Sequence, residues 1–197
     1  SVNQSELSRA LATVVKGSSS RSTLSILSGI LIQARDGEIV LQTTDLKLSI
    51  RIILPALVEE AGDTVVPAKL FSDIVKNLPD AAVHVEATDD QAFVTCDTSS
   101  FSIRALNAED FPGFPRVDVH QKIEIPFHQF STMVKRVSRV VSKDESRAIL
   151  TGVLITLEAG VLRMVATDSY RLAITDAPLP NSSADEFHAV ISGSFLS

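Results

Sequence analysis

The chain lacks most of what would mark an enzyme, a secreted scaffold or a membrane protein. It has one cysteine, Cys96, in 197 residues, which excludes an internal disulfide framework and fits a reducing compartment. No apolar run approaches the roughly 18 residues that a membrane helix needs, so no membrane span is expected. Ser1-Val2-Asn3-Gln4 opens without a basic start or an apolar stretch, so no secretion signal is read. The Asn3-Gln4-Ser5 and Asn181-Ser182-Ser183 glycosylation patterns then count as chance, and a cytoplasmic setting is expected. There is no glycine-rich phosphate loop, no His-Glu-x-x-His, no Gly-x-Ser-x-Gly and no Cys-x-x-Cys. His84, His120, His128 and His188 have no partner at metal-ligand spacing, and Cys96 falls in a predicted strand as a small apolar residue. No catalytic residue, metal or cofactor is expected.

What is present is a long internal repeat. The chain aligns with itself, without a gap, at a shift of 123 residues. Leu27-Ser28-Gly29-Ile30-Leu31-Ile32 recurs as Leu150-Thr151-Gly152-Val153-Leu154-Ile155, Gly37 as Gly160, and Thr44-Asp45 as Thr167-Asp168. A period this long is a duplicated domain rather than a solenoid unit. Domains are expected at 1–118, complete, and 119–197, partial, so the chain reads as truncated. Phe111-Pro112-Gly113-Phe114-Pro115 has linker composition and marks the boundary. Asp45 and Asp168 each follow a threonine. A carboxylate repeated in both copies is better explained by a turn, with the aspartate accepting backbone N–H groups where a strand ends, than by acid/base work.

The periodicities predict local structure. Leu7, Leu11, Val14 and Val15 fall on one helical face, and Asn3 with Glu6 resembles a capping box. Helices are expected over about 5–17, 67–78 and 127–143, with Pro67 opening the second. Strands are expected at Leu24–Ala34, Ile39–Thr43, Leu46–Leu54, Val83–Ala87, Phe93–Cys96, Phe101–Leu106, Lys122–Ile125, Ile149–Leu157, Val161–Thr167 and Arg171–Thr175. Asp36-Gly37 and Ala159-Gly160 supply hairpin turns. Val190-Ile191 realigns with Val65-Val66 if two residues are inserted, and the second helix of the repeat falls due near Phe195.

Charge is distributed unevenly. The net charge is −6, yet the three predicted helices hold eight basic and two acidic side chains, while the remainder holds ten basic and twenty-two acidic ones. On the third helix Phe130, Val134, Val137 and Val141 share one face, and Lys135, Arg136, Arg139 and Lys143 cluster on the other. A local positive stripe attracts phosphate even on an anionic chain.

Several strings, in order and spacing, resemble the bacterial sliding clamps, the β subunits of DNA polymerase III. They are Arg21-Ser22-Thr23-Leu24-Ser25-Ile26-Leu27-Ser28-Gly29, Thr44-Asp45-Leu46, Val66-Pro67-Ala68-Lys69, Glu109-Asp110-Phe111-Pro112, Ser142-Lys143-Asp144-Glu145-Ser146-Arg147 and Ala166-Thr167-Asp168-Ser169-Tyr170-Arg171-Leu172-Ala173. The resemblance covers the whole chain. It implies an α+β DNA-clamp fold, tandem domains of antiparallel sheets with two helices on the inner face, the third domain being absent here. It implies a head-to-tail homodimeric ring, when full length, around duplex DNA without sequence preference. Implied partners are the polymerase III alpha subunit, the clamp loader, and other polymerases and repair proteins that bind through short peptide motifs. Arg21, Lys69, Lys76 and Lys143 match inner-surface DNA positions, to which the helical face adds Lys135, Arg136 and Arg139. Leu150, Thr167, Ser169, Tyr170, Arg171 and Leu172 match the family's peptide-binding groove. Ser169-Tyr170 replaces the common Gly-His, Ser25 stands where proline is usual, and Ala148-Ile149 and Asp144 occupy positions where some relatives place DNA contacts. The expected function is a non-catalytic processivity factor. The alternative is a protein-interaction scaffold that does not encircle DNA.

Overall fold

Each copy of the repeat is built outward from one tight hairpin. Strand β2 (Gly29–Arg35) turns through Asp36 and Gly37 into β3 (Glu38–Thr44), with φ of 41° and 85° at the two turn residues. Positive φ at both central positions matches the twist of the flanking strands. β4 (Ser49–Pro55) and β5 (Gly62–Pro67) complete a four-stranded antiparallel sheet in the order β4-β3-β2-β5. A second sheet joins the short β1 (Val2–Asn3) to β6 (Ala82–Ala87), β7 (Gln91–Cys96) and β8 (Ser99–Arg104). Helices α1 (Gln4–Val14) and α2 (Ala68–Lys76) fill the space between them.

In the computed structural model residues 1–19, 24–116, 118–119, 122–179 and 185–196 are described. They form two units, Ser1–Arg116 and Val117–Ser197. The second unit repeats the first sheet. β9 (Gly152–Glu158), β10 (Val161–Thr167), β11 (Leu172–Pro178) and β12 (Phe187–Ser192) run in the order β11-β10-β9-β12, packed by α3 (Phe127–Val137). Ala159 and Gly160 turn the hairpin with φ of 48° and 73°. The register repeats too: Leu31 pairs with Gln42 and Leu154 with Val165, while Thr44 pairs with Ser49 and Thr167 with Leu172. α4 (Gly193–Leu196) begins where the repeat calls for its second helix.

The cores follow the apolar periodicity. Leu7, Leu11, Val14, Phe71 and Val75 from the helices meet Ile30, Leu41, Val66, Val83, Val94 and Cys96 from both sheets. Truncating Leu11 or Phe71, both essentially inaccessible, removes about 2–5 kcal/mol through lost burial and the cavity left behind. In the second unit Met133, Val134 and Val137 of α3 pack on Val153, Ile155, Leu162 and Met164. Gly29 and Gly152 sit where a strand enters its sheet, and a Cβ on either would strike the Cγ1 of Val65 or Val190. The Phe111–Pro115 stretch belongs to the first unit. Phe111 is buried, the Gln42 side chain donates to Pro112 O at 3.2 Å, and Arg51 lies 4.1 Å over the Phe114 ring.

Several sequence expectations are corrected. Asn3 caps α1 by accepting the Ser5 and Glu6 amides at 3.0 and 3.3 Å, but the α-helix stops at Val14 and a 3₁₀ turn, Val15–Gly17, finishes it. Residues 25–28 of the strand expected from Leu24 are a 3₁₀ turn, as are 145–151 ahead of β9. A hydroxyl closes each: Ser28 Oγ donates to Ser25 O, and Thr151 Oγ1 to Ala148 O, both at 2.7 Å. Residues 122–125 form no strand, although Ile123 and Ile125 pack on the second core. At the 123-residue shift only Ile125 of this stretch falls on β1, which pairs with β6. The third helix ends at Val137, followed by a 3₁₀ turn Ser138–Val140, so Lys143 is not on it.

Candidate functional site

The candidate residues fall into a cationic set, with members in each unit, and a set gathered at one turn of the second unit. Lys69 and Lys76 lie seven residues apart on α2, two turns along one side, and both are exposed. Lys135 and Arg136 occupy the last turn of α3, where cations complement the helix dipole, and Arg139 follows on the 3₁₀ turn. All three are exposed, and Arg136 Nη1 donates to Thr175 Oγ1 on β11 at 3.4 Å. Lys143 is exposed in the extended segment beyond, so the expected four-residue helical face is two residues on a helix, one on a 3₁₀ turn and one off it. None of these six is ion-paired among the described residues. Arg21 lies outside the described residues.

The second set gathers at the β10–β11 turn. Thr167 Oγ1 accepts the Ser169 amide at 3.1 Å and donates to Arg171 O at 2.8 Å. Asp168 Oδ1 accepts the Tyr170 and Arg171 amides, both at 3.0 Å. These bonds hold Ser169 at φ 76° and push the Tyr170 ring outward, where the residue is 94% exposed, with Leu172 at 62%. Leu150 comes from the segment before β9, anchored by its carbonyl to the Ser142 amide at 2.8 Å. The Asp168 carboxyl lies below the ordinary aspartate range, first because of the Tyr170 and Arg171 amides and then the Arg171 guanidinium.

Two residues absent from the sequence-based site complete it. Asp144 and Arg147 repeat the geometry of Asp168 and Arg171. In each pair Oδ1 accepts the backbone amide two residues on, and Oδ2 takes the arginine Nε at 3.0 Å. Each arginine then reaches another segment: Arg147 Nη1 donates to Ser169 Oγ at 3.1 Å, and Arg171 Nη2 to Arg139 O at 3.2 Å. The Asp144 carboxyl is held low by the Ser146 hydroxyl first and Arg147 second. The shared spacing, Asp144-Glu145-Ser146-Arg147 and Asp168-Ser169-Tyr170-Arg171, is the signal that could have found them. So Thr167, Ser169, Tyr170, Arg171 and Leu172 lie on one turn, tied through Arg147 to the segment that carries Leu150 and bracketed by two Asp-x-x-Arg pairs.

Comparison with known proteins gives this turn its setting. A family model described as DNA polymerase III beta subunit, N-terminal domain, matches residues 1–115, and the central-domain model of that subunit matches residues 124–195. The beta sliding clamp of Bacillus subtilis is 32% identical over 99% of this chain and 54% of its own length. That of Synechocystis is 35% identical over 98% and 51%. The crystal structure of the Bacillus subtilis sliding clamp matches with a TM-score of 0.93, covering 99% of this chain and 54% of that one. A Pseudomonas aeruginosa sliding clamp bound to griselimycin matches at 0.92 and 26% identity, covering 99% and 53%. The chain spans about half the length of the curated relatives it matches. The fold is therefore that of the sliding clamps, α+β domains of antiparallel sheet with packed helices. The chain belongs to the DNA polymerase III beta-subunit family.

Proposed function

We propose that this chain works as part of a ring-shaped processivity factor, with 1–118 as its first clamp domain and 119–197 as part of its second. The ring, a head-to-tail homodimer of the full-length protein, encircles duplex DNA and tethers the polymerase III alpha subunit, in a cytoplasmic setting and without catalysis of its own. A clamp has to stay on DNA and still slide. Exposed cations on helices give weak, sequence-independent, salt-sensitive attraction to phosphate, and topology supplies residence. Arg21, Lys69, Lys76, Lys135, Arg136, Arg139 and Lys143 are assigned this role. The Leu150, Thr167, Ser169, Tyr170, Arg171 and Leu172 rim takes short peptide segments of the clamp loader, other polymerases and repair proteins, with Tyr170 and Arg171 as the aromatic and arginine anchors common in binding hot spots. The Pseudomonas clamp is bound to griselimycin, and binding of that ligand at this rim is expected here, which makes it the probe.

The observation that carries the reading is the match of both units, end to end, to consecutive domains of one clamp subunit. The test uses the full-length protein loaded by its loader onto nicked circular DNA, which is then linearised. Retention on circles and loss from cut ends supports topological holding. Equal retention on both overturns it. Neutralising Lys135, Arg136, Arg139 and Lys143 together is expected to flatten the salt dependence of DNA binding by the loss of up to four phosphate contacts.

A further inference from the structure

Ser169 holds a left-handed backbone, φ 76°, in which a side chain is a steric liability, yet it is not glycine. What a serine brings there is its hydroxyl, and that hydroxyl accepts from Arg147 Nη1 at 3.1 Å. Arg147 is itself fixed by Asp144, and it belongs to the segment that carries Leu150. We infer that Arg147 is a positioning residue: through Ser169 it holds the β10–β11 turn against the Leu150 segment, so the Tyr170–Leu172 rim is formed before a ligand arrives. This rests on the groove reading above. Pre-ordering a rim raises affinity by removing the entropy cost of ordering it on binding, without adding a contact to the ligand. The same turn in the first unit isolates the effect. Leu46 has the same left-handed backbone, φ 73°, and Leu24 stands at the position equivalent to Arg147, so there the backbone form exists without any such hydroxyl–guanidinium bond.

Tyr170 is the single tyrosine of a chain without tryptophan, so intrinsic tyrosine emission reports this turn alone. Time-resolved anisotropy of the 197-residue chain is expected to show faster and wider local motion in Arg147→Ala and in Ser169→Ala, equal in the two and no greater in the double variant. Arg147→Lys, which can serve Asp144 but cannot fork to Ser169 as well, is expected to behave like the alanine variant. Ser169→Gly separates positioning from mere structure: it relieves the backbone and raises resistance to urea, yet loosens Tyr170. Unchanged anisotropy in Arg147→Ala and Ser169→Ala, or a Ser169→Gly turn as ordered as the parent, overturns the inference. Griselimycin binding is the second readout, expected to weaken about two- to tenfold in the same variants, the worth of one such hydrogen bond. If the parent chain does not bind griselimycin, the groove reading is in question, and the anisotropy still decides whether Arg147 orders the turn.

Discussion

The turn at residues 44–49 and the turn at 167–172 share a backbone and differ in almost every outward side chain. In both, a threonine hydroxyl accepts the amide two residues on, Leu46 at 3.0 Å and Ser169 at 3.1 Å. In both, the aspartate Oδ1 accepts two further amides: Lys47 and Leu48 at 2.9 and 2.7 Å, Tyr170 and Arg171 at 3.0 Å. The residue after the aspartate is left-handed in each. The first turn then presents Leu46, Lys47 and Leu48, and the second Ser169, Tyr170 and Arg171. Duplication preserved the scaffold, while the three outward positions were free to diverge into the rim proposed above. Backbone satisfaction fixes the loop, and side chains that no core constrains are free to vary.

The largest expected effect tests whether the scaffolds are equally stiff. Gly29→Ala drives a Cβ into fully buried Val65 and is expected to cost about 1–3 kcal/mol, measured by urea unfolding. Gly152→Ala meets Val190, which is half exposed and can rotate away, so it is expected to cost less than about 1 kcal/mol. Equal costs would show that the entry strand, and not its neighbour, sets the constraint.

Next comes the left-handed residue. Leu46→Gly relieves this backbone and is expected to stabilise by about 1 kcal/mol, and Ser169→Gly by less, because it relieves the same backbone but also loses the Arg147 bond. A gain at 46 and a loss at 169 would mean that the Arg147 bond outweighs the strain in the second turn.

Acid sharpens the comparison further. The Asp45 carboxyl is held low chiefly by the Leu48 amide, and Asp144 and Asp168 are held low as described above. All three folded values lie below the ordinary 3.8, so their contribution is complete above that pH and is lost only as pH falls through the lower folded values. Tyr170 anisotropy is expected to stay flat from pH 8 to pH 5 and to fall only below 3.8. A transition near neutral pH would implicate a different group.

The smallest effect is a transplant. Leu48→Arg recreates the Asp-x-x-Arg spacing on Asp45 and is expected to contribute at most about 1 kcal/mol, as exposed pairs do. The sharper readout is the Asp45 titration by NMR, expected to move down. No movement would show that the bracket in the second unit depends on more than spacing.

Among the described residues no helix is long and apolar enough to cross a membrane. The 123-residue shift located both hairpins, both aspartate turns and the strands that flank them, because these are local: an Asp-Gly pair or a Thr-Asp pair carries its geometry within four residues. The residues proposed for the peptide rim were picked out only through family resemblance, since nothing local distinguishes an exposed leucine such as Leu172 from a leucine in a core. Non-local pairings were not legible. β5 and β12 are short, and each gains its strand character by closing onto a strand far away in sequence, β2 or β9. Helix ends were overrun for a related reason. The Thr43 hydroxyl takes the Val14 carbonyl, and Ser142 takes that of Leu150, so tertiary partners compete for groups that an isolated helix or strand would use itself.

The sequence by itself determined the duplication, the hairpins and the apolar faces, because each depends on residues within a turn or a strand of one another. Only the tertiary structure decided that Arg147 meets Ser169, that Lys143 leaves the helix and that residues 122–125 are not a strand. Those outcomes depend on which hydrogen-bond donors and acceptors lie opposite once the sheets close, and separation along the chain carries no information about that.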